Sequence, residues 1–232
     1  MISLIIPTKN EERYLPKLLD SIKKQKFGKY EILVADAGST DKTTQIAKKY
    51  GCRVVKGGSP SFGRNQGAKF SKYDYLFFLD ADIILPNNFF SQALKQIKEE
   101  KLDLAGTLQE PIKTNKIGKD LIYKLFHGFA NKSMIILQYT TFPCMQNCMF
   151  VKKGIHKKIK GFDETLIFGE DSEYSKRASR IGKFRILNTK KVKISLRRLE
   201  EDEFIAFLKY FYFNAGRLLG REFRGKSRIK YF

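Results

Sequence analysis

A chain of 232 residues, 42% hydrophobic and 30% charged, is long enough to bury a substantial core and reads as one globular α/β domain with room for a small appendage. Its 45 Lys and Arg against 24 Asp and Glu leave a net charge of +21, which calls for a polyanionic partner: nucleic acid, an anionic bilayer, or nucleotide and lipid phosphates. No zinc-finger spacing, RNP aromatic motif or basic zipper occurs, so nucleic acid is disfavoured and a membrane surface favoured.

In chain order, Ser3–Ile6 is an apolar strand, and Tyr14, Leu15, Leu18, Leu19 and Ile22 then recur at helical spacing up to a stop at Gly28. Glu31–Ala35 is the second strand. Ser39 or Asp41 caps a helix through Tyr50, closed by Gly51, before a short strand over Cys52–Val55 and a loop over Gly57–Pro60. A helix over Phe62–Phe70, a strand over Tyr75–Leu79 and a helix from Pro86 to about Lys101 continue the alternation, which implies a mainly parallel sheet covered on both faces. Beyond Leu104–Thr107 the pattern changes. Ile117–Leu137 is a long aromatic-rich helix that can pack on the core, cover a groove or touch lipid. Asn147–Val151 and Phe184–Leu187 read as strands flanking a helix over Asp171–Arg180.

The chemistry-bearing residues gather where strands end. Tyr75–Leu79 runs directly into Asp80-Ala81-Asp82, and in an open α/β sheet the carboxyl ends of the strands form the ligand crevice. Two carboxylates there can hold Mg²⁺ or Mn²⁺ against a diphosphate; the competing interpretation is a solvated turn. The first two strands also end in polar clusters, Pro7-Thr8-Lys9-Asn10-Glu11-Glu12 and Asp36-Ala37-Gly38-Ser39-Thr40-Asp41. Neither has dinucleotide-fingerprint glycines, and no P-loop is present, so side chains must hold any nucleotide. Cys144 and Cys148 lack a second Cys/His pair and sit among Phe142, Met145, Met149 and Phe150, which favours buried thiols over a metal site. His127 and His156 are expected to be surface or core residues. The sparse, odd cysteine set, with no signal peptide ahead of the first strand, gives the expectation of a reduced, cytosolic chain.

Taken with Gly63-Arg64-Asn65-Gln66-Gly67-Ala68 and Gly169-Glu170-Asp171, these motifs follow in an order that resembles the family 2 inverting glycosyltransferases of GT-A fold, over roughly the first two hundred residues. The resemblance implies an enzyme that moves a sugar from a nucleotide-diphospho-sugar. It implies a metal on Asp82, with Asp80 near the ribose or a metal-bound water. Pro7, Thr8 and Glu11 would line the nucleoside pocket, Asp36 would accept from the base ring, and Arg64 would approach the ribose or diphosphate. The base is expected at Asp171, with Glu170 as the alternative; both also suit a helix start, where acids favour the dipole. Many members carry a histidine some twenty residues further on, whereas this chain has Arg197 and Arg198 in that neighbourhood. Their forks suit diphosphate or lipid-phosphate oxygens instead.

The expected organisation is a catalytic domain over 1–202, divided into a nucleotide-sugar half at 1–103 and an acceptor half at 104–202, followed by a tail at 203–232. In that tail Phe204, Phe207, Leu208, Phe211 and Ala215 form a stripe ahead of a basic run from Arg217 to Lys230, the composition of an interfacial helix. It is too short and charged to span a bilayer. Docking on the cytosolic face of an anionic membrane and a lipid-linked or envelope-glycan acceptor are expected; packing on the domain or on a second subunit is the other use for the stripe. Two rival functions are a sugar-phosphate nucleotidyltransferase, which needs a Gly-rich loop and Lys that Pro7-Thr8-Lys9-Asn10 does not supply, and a non-catalytic basic scaffold.

Overall fold

A computed structural model describes residues 1–113, 117–140, 143–166 and 168–196, with the side chains of 117–119 excepted. The elements are β1 (Ile2–Thr8), α1 (Leu15–Lys23), β2 (Tyr30–Asp36), α2 (Thr43–Lys49), β3 (Arg53–Lys56), α3 (Pro60–Phe70), β4 (Tyr75–Leu79), β5 (Ile83–Ile84), α4 (Phe89–Glu99), β6 (Leu104–Pro111), α5 (Ile117–Leu137), β7 (Cys148–Lys152), α6 (Lys153–Lys158), α7 (Glu170–Ser179) and β8 (Phe184–Ile194). The described strands form one sheet in the order β3-β2-β1-β4-β7-β6-β8-β5.

β1 is buried along its whole length because successive side chains feed two different cores. Leu4 and Ile6 join Leu15, Leu18 and Ile22 of α1 and Phe89 and Phe90 of α4 on one face. Ile5 joins Leu33, Phe78, Phe162 and Tyr174 on the other. β4 divides likewise, Phe77 to the first core and Phe78 to the second. α3 packs tightly on the sheet: a Cβ at Gly67 would lie 2.2 Å from Ile5 Cγ2, so glycine sets the distance of closest approach. Ser59 caps α3 by accepting from the Phe62 N–H, and Pro60 fits its first turn.

β1, β2, β3 and β4 are parallel, as are β6 and β8. β7 runs against both β4 and β6, and β5 against β8, so the sheet is mainly rather than wholly parallel. Some boundaries differ from those expected. α1 ends at Lys23, ahead of Gly28. α4 starts at Phe89 instead of Pro86, because Asn88 takes a left-handed conformation with φ of 63°. β8 continues to Ile194, Val192 pointing inward between exposed Lys191 and Lys193. β5 and α6 have no counterpart in the sequence expectations.

The curl of the sheet follows from its connections. Leu79 and Ile83 are joined by three residues, a span of at most about 14 Å, yet β4 and β5 are four ladder steps apart in the strand order, about 19 Å if flat. The sheet therefore curls, and the register shift between Thr107 and Gln109 supplies a bend. On α5, Asn131 is buried and exchanges two hydrogen bonds with the Gln109 backbone at 3.0 and 2.7 Å. Leu121, Leu125 and Phe129 of the same helix are exposed. Among the described residues no helix is long and apolar enough to cross a membrane, and the tail at 203–232 lies outside them.

Candidate active site

The acidic segment after β4 is fixed at both ends by the backbone. The Asp80 N–H donates to the Asn147 carbonyl at 2.8 Å, and the Asp82 carbonyl accepts from the Ser195 N–H at 3.0 Å. Asp82 is buried; Asp80 is partly open. Across from them Gly169, with φ of 77°, turns the chain into α7 and places Glu170, Asp171 and Glu173 in its first turn, where the helix dipole favours carboxylates.

The groups meet on Arg64 of α3, which is 2% exposed. One guanidinium nitrogen, Nη2, lies 2.9 Å from Asp80 Oδ1; the other, Nη1, lies 3.2 Å from Glu170 Oε1 and 3.0 Å from Asp171 Oδ1. Burial works against the charge, but the attraction of Asp171, Asp80 and Glu170 and the hydrogen bond to Asp80 outweigh it and hold the guanidinium above its ordinary pKa. The Arg64 guanidinium carbon also sits 5.3 Å over the Phe162 ring, which stacks on Tyr174 at 3.8 Å. Arg64, Asp80, Glu170 and Asp171 are thus brought into one cluster. Here the arginine is the counter-ion of three acids.

The other expected site residues belong to the ends of β1 and β2. The Asp36 carboxylate accepts from the Gly38 and Ser39 N–H groups at 3.0 and 2.9 Å, from the Ser39 hydroxyl at 2.5 Å and from the Thr8 hydroxyl at 3.2 Å. Four donors nearly fill a carboxylate, so Asp36 organises its own loop. Thr8, which donates to it, and Pro7 and Glu11 of the same segment are buried. Lys9 Nζ ties the same loop by donating to the Ala37 and Gly38 carbonyls at 2.9 and 2.7 Å. Arg197 and Arg198 lie outside the described residues.

Asn65, quoted in a motif but given no role, clamps the approach to α7. Its amide donates to the Phe162 carbonyl at 2.9 Å and accepts from the Phe162 N–H at 2.8 Å. Its adjacency to Arg64 is the signal that could have marked it. Cys52 and Cys148 are buried, and burial pushes the Cys52 thiol up to about 11 and the Cys148 thiol higher still. Cys144 is half-buried against the Ser172 hydroxyl at 3.3 Å. His156 is buried in the second core, and burial lowers the pKa of His127.

The mixed sheet with its flanking helices has the fold of GT-A proteins, and solved structures share that fold. The N-terminal part of TarS from Staphylococcus aureus in complex with UDP-GlcNAc superposes with a TM-score of 0.68 at 23% identity, covering 84% of this chain and 58% of that one. A mannosyltransferase from Pyrobaculum calidifontis, in complex with GDP-Man and Mn²⁺, gives 0.65 at 16% identity, over 84% and 56% of the two chains. In sequence, the poly(ribitol-phosphate) β-N-acetylglucosaminyltransferase TarS is 33% identical over 112 residues, 44% of this chain and 20% of its own length. A 4,4'-diaponeurosporenoate glycosyltransferase of Staphylococcus haemolyticus is 38% identical over 104 residues, covering 41% of this chain and 28% of the relative. The family model for glycosyl transferase family 2 matches residues 3–160, and the chain belongs to that family. It spans under a third of the length of these two curated relatives.

Proposed function

We propose that the chain transfers a sugar, with inversion, from a nucleotide-diphospho-sugar to a lipid-linked or envelope-glycan acceptor. The single observation that carries this is the buried Arg64 held by Asp80, Glu170 and Asp171 at the carboxyl edge of the sheet. The two curated relatives support the substrate class by their names, one acting on poly(ribitol-phosphate) and one on a diaponeurosporenoate. The division into halves at 1–103 and 104–202, a basic tail at 203–232 and peripheral attachment to an anionic membrane belong to the same reading. The charge of +21 supports the attachment.

Asp171 takes the proton of the acceptor hydroxyl as it attacks the anomeric carbon, Glu170 standing beside it on the same turn. Arg64 fixes both acids until the donor enters. The diphosphate oxygens then compete for its fork, which loosens the hold on Asp171 and frees that carboxylate to act as base. Pro7, Thr8 and Glu11 line the nucleoside side, and Asp36 holds the loop that closes it. The donor set fits a divalent metal in kind. Asp82 and Asp80 offer hard carboxylate oxygens, and no group of three or more His, Cys, Asp or Glu among the described residues closes a protein-only cage. That suits Mg²⁺ or Mn²⁺ shared with a diphosphate. When bound, the ion would neutralise charge growing on the leaving nucleoside diphosphate.

The test is release of nucleoside diphosphate from UDP-, GDP- and dTDP-sugars, with and without Mn²⁺. Asp171→Asn should keep donor binding and lose turnover by at least a hundredfold, since a general base acts in the transition state. Near-normal turnover in Asp171→Asn with an inactive Glu170→Gln would move the base to Glu170. No donor-dependent release by the wild type would refute glycosyl transfer.

A further inference from the structure

At the opposite edge of the sheet from the acids, a cleft of about 390 Å³ opens between α3 and α6. Its position follows from the register: Lys152 pairs with Tyr75 at the start of β4, and the Lys153 N–H donates to the Asp74 carbonyl at 2.7 Å. α3 runs from Arg64 back toward this edge, so Asn65 and Lys69 line the cleft while Arg64 faces the acids. Lys69, Lys153, Lys157 and Lys160 line it as well, and no carboxylate does. Lys153 Nζ is anchored on the Ser71 carbonyl at 2.6 Å; Lys69, Lys157 and Lys160 are exposed at the rim.

The floor is built rather than incidental. His156 lines the cleft yet is only 7% exposed, and its Nδ1 lies 2.9 Å from the hydroxyl of the fully buried Tyr174. Among the described residues that hydroxyl has this one partner, so its proton is directed at Nδ1. We assign the ring proton to Nε2, the tautomer in which the buried hydroxyl keeps a bond for its proton. Gly161, with φ of +73°, forms the adjacent wall, and a Cβ there would stand 3.3 Å from Nε2. Burial, reinforced by Arg177 and Lys153, lowers the His156 pKa to about 4, so the ring is a neutral donor at neutral pH. Four lysines and the His156 ring line a space with the dimensions of a small-ligand site.

We propose that this cleft binds the oxyanion of a phosphate ester, with His156 Nε2–H at its floor and Lys157 and Lys160 at its rim. The phosphate can come from a soluble phosphorylated molecule or from a lipid headgroup, and the same chemistry serves both.

Calorimetric titration of the full chain with inorganic phosphate and with glycerol 3-phosphate, at constant ionic strength, tests it. Saturable one-site binding is expected, weakened at least tenfold in Lys157→Gln/Lys160→Gln and unchanged in Asp171→Asn. His156→Gln, with the rim intact, should also weaken it; if that variant does not fold, the rim variant decides alone. A second arm measures sedimentation with phosphatidylglycerol vesicles. Binding that glycerol 3-phosphate displaces and the rim variant loses identifies a headgroup; soluble binding without vesicle binding at this site identifies a soluble ester. Absence of saturable phosphate binding, or equal affinity in wild type and rim variant, overturns the proposal.

Discussion

Replacing Arg64 with methionine keeps an apolar stem over Phe162 and removes only the charge that three carboxylates share. Breaking a buried ion pair by removing one partner costs about 3–5 kcal/mol, because the remaining charge stays buried. Here Asp80, Glu170 and Asp171 are left facing one another with side-chain exposures of 16%, 15% and 20%, so some of the penalty is relieved by water. The lower half of the range, about 3 kcal/mol, is expected at pH 7.5. For a chain of this size each kcal/mol moves the melting temperature by about 2–4 °C, so Arg64→Met should melt about 6–12 °C below wild type. The penalty belongs to ionised carboxylates. In the variant their repulsion disfavours ionisation, so the deficit is full above the carboxylate range and shrinks as pH falls toward about 4. Millimolar Mg²⁺ or Mn²⁺ should recover part of it at pH 7.5 by supplying a replacement cation. Circular dichroism melts at pH 7.5 and 4.5 give the answer. A deficit equal at both pH values would show that Arg64 stabilises by packing and that the electrostatic account is wrong.

Asp82→Asn should fold but lose metal-dependent nucleotide binding, and unchanged calorimetric binding of UDP or GDP with Mn²⁺ would remove the metal from this residue. For His156 the folded pKa lies below the ordinary 6.5, so the unfolded chain gains the proton first and stability falls between pH 6.5 and about 4. The loss is on the order of 3 kcal/mol, and His156→Gln should flatten that part of a denaturant-midpoint profile; an unchanged slope assigns the loss to other groups. Gly67→Ala should destabilise by about 1–3 kcal/mol because Ile5 must yield. Melting within a degree of wild type would mean that α3 lifts off β1 at no cost.

The βα alternation as far as α4 was legible, β5 excepted, because the other elements there are long enough to show their character. β7 was legible as a strand but not as an antiparallel one, since an apolar run such as Cys148-Met149-Phe150-Val151 carries no direction. β5 has two residues, too few for any pattern. The second half of β8 lay beyond the strand expected over Phe184–Leu187 because Lys190, Lys191 and Lys193 mask the single buried Val192. At the site, the acids could be found from their places at a strand end and a helix start. The meeting of Arg64 with Glu170, 106 positions apart, could not, since only the curled sheet brings them together.

The link from β4 to β5 makes the acidic segment one side of a closed circuit, completed by β8, β6 and β7 through their ladders and clasped where Ser195 reaches Asp82. A ribosome delivers that clasp late. When Asp80 and Asp82 first emerge, the strands that are to hold them, β7, β6 and β8, have yet to be made, whereas β1, β2 and β3 are already available to one another. The nascent chain can therefore shape its first loops early, but Asp80 stays unsecured until Asn147 is synthesised and Asp82 until Ser195 is, so truncation between those two points should leave Asp80 held and Asp82 untethered.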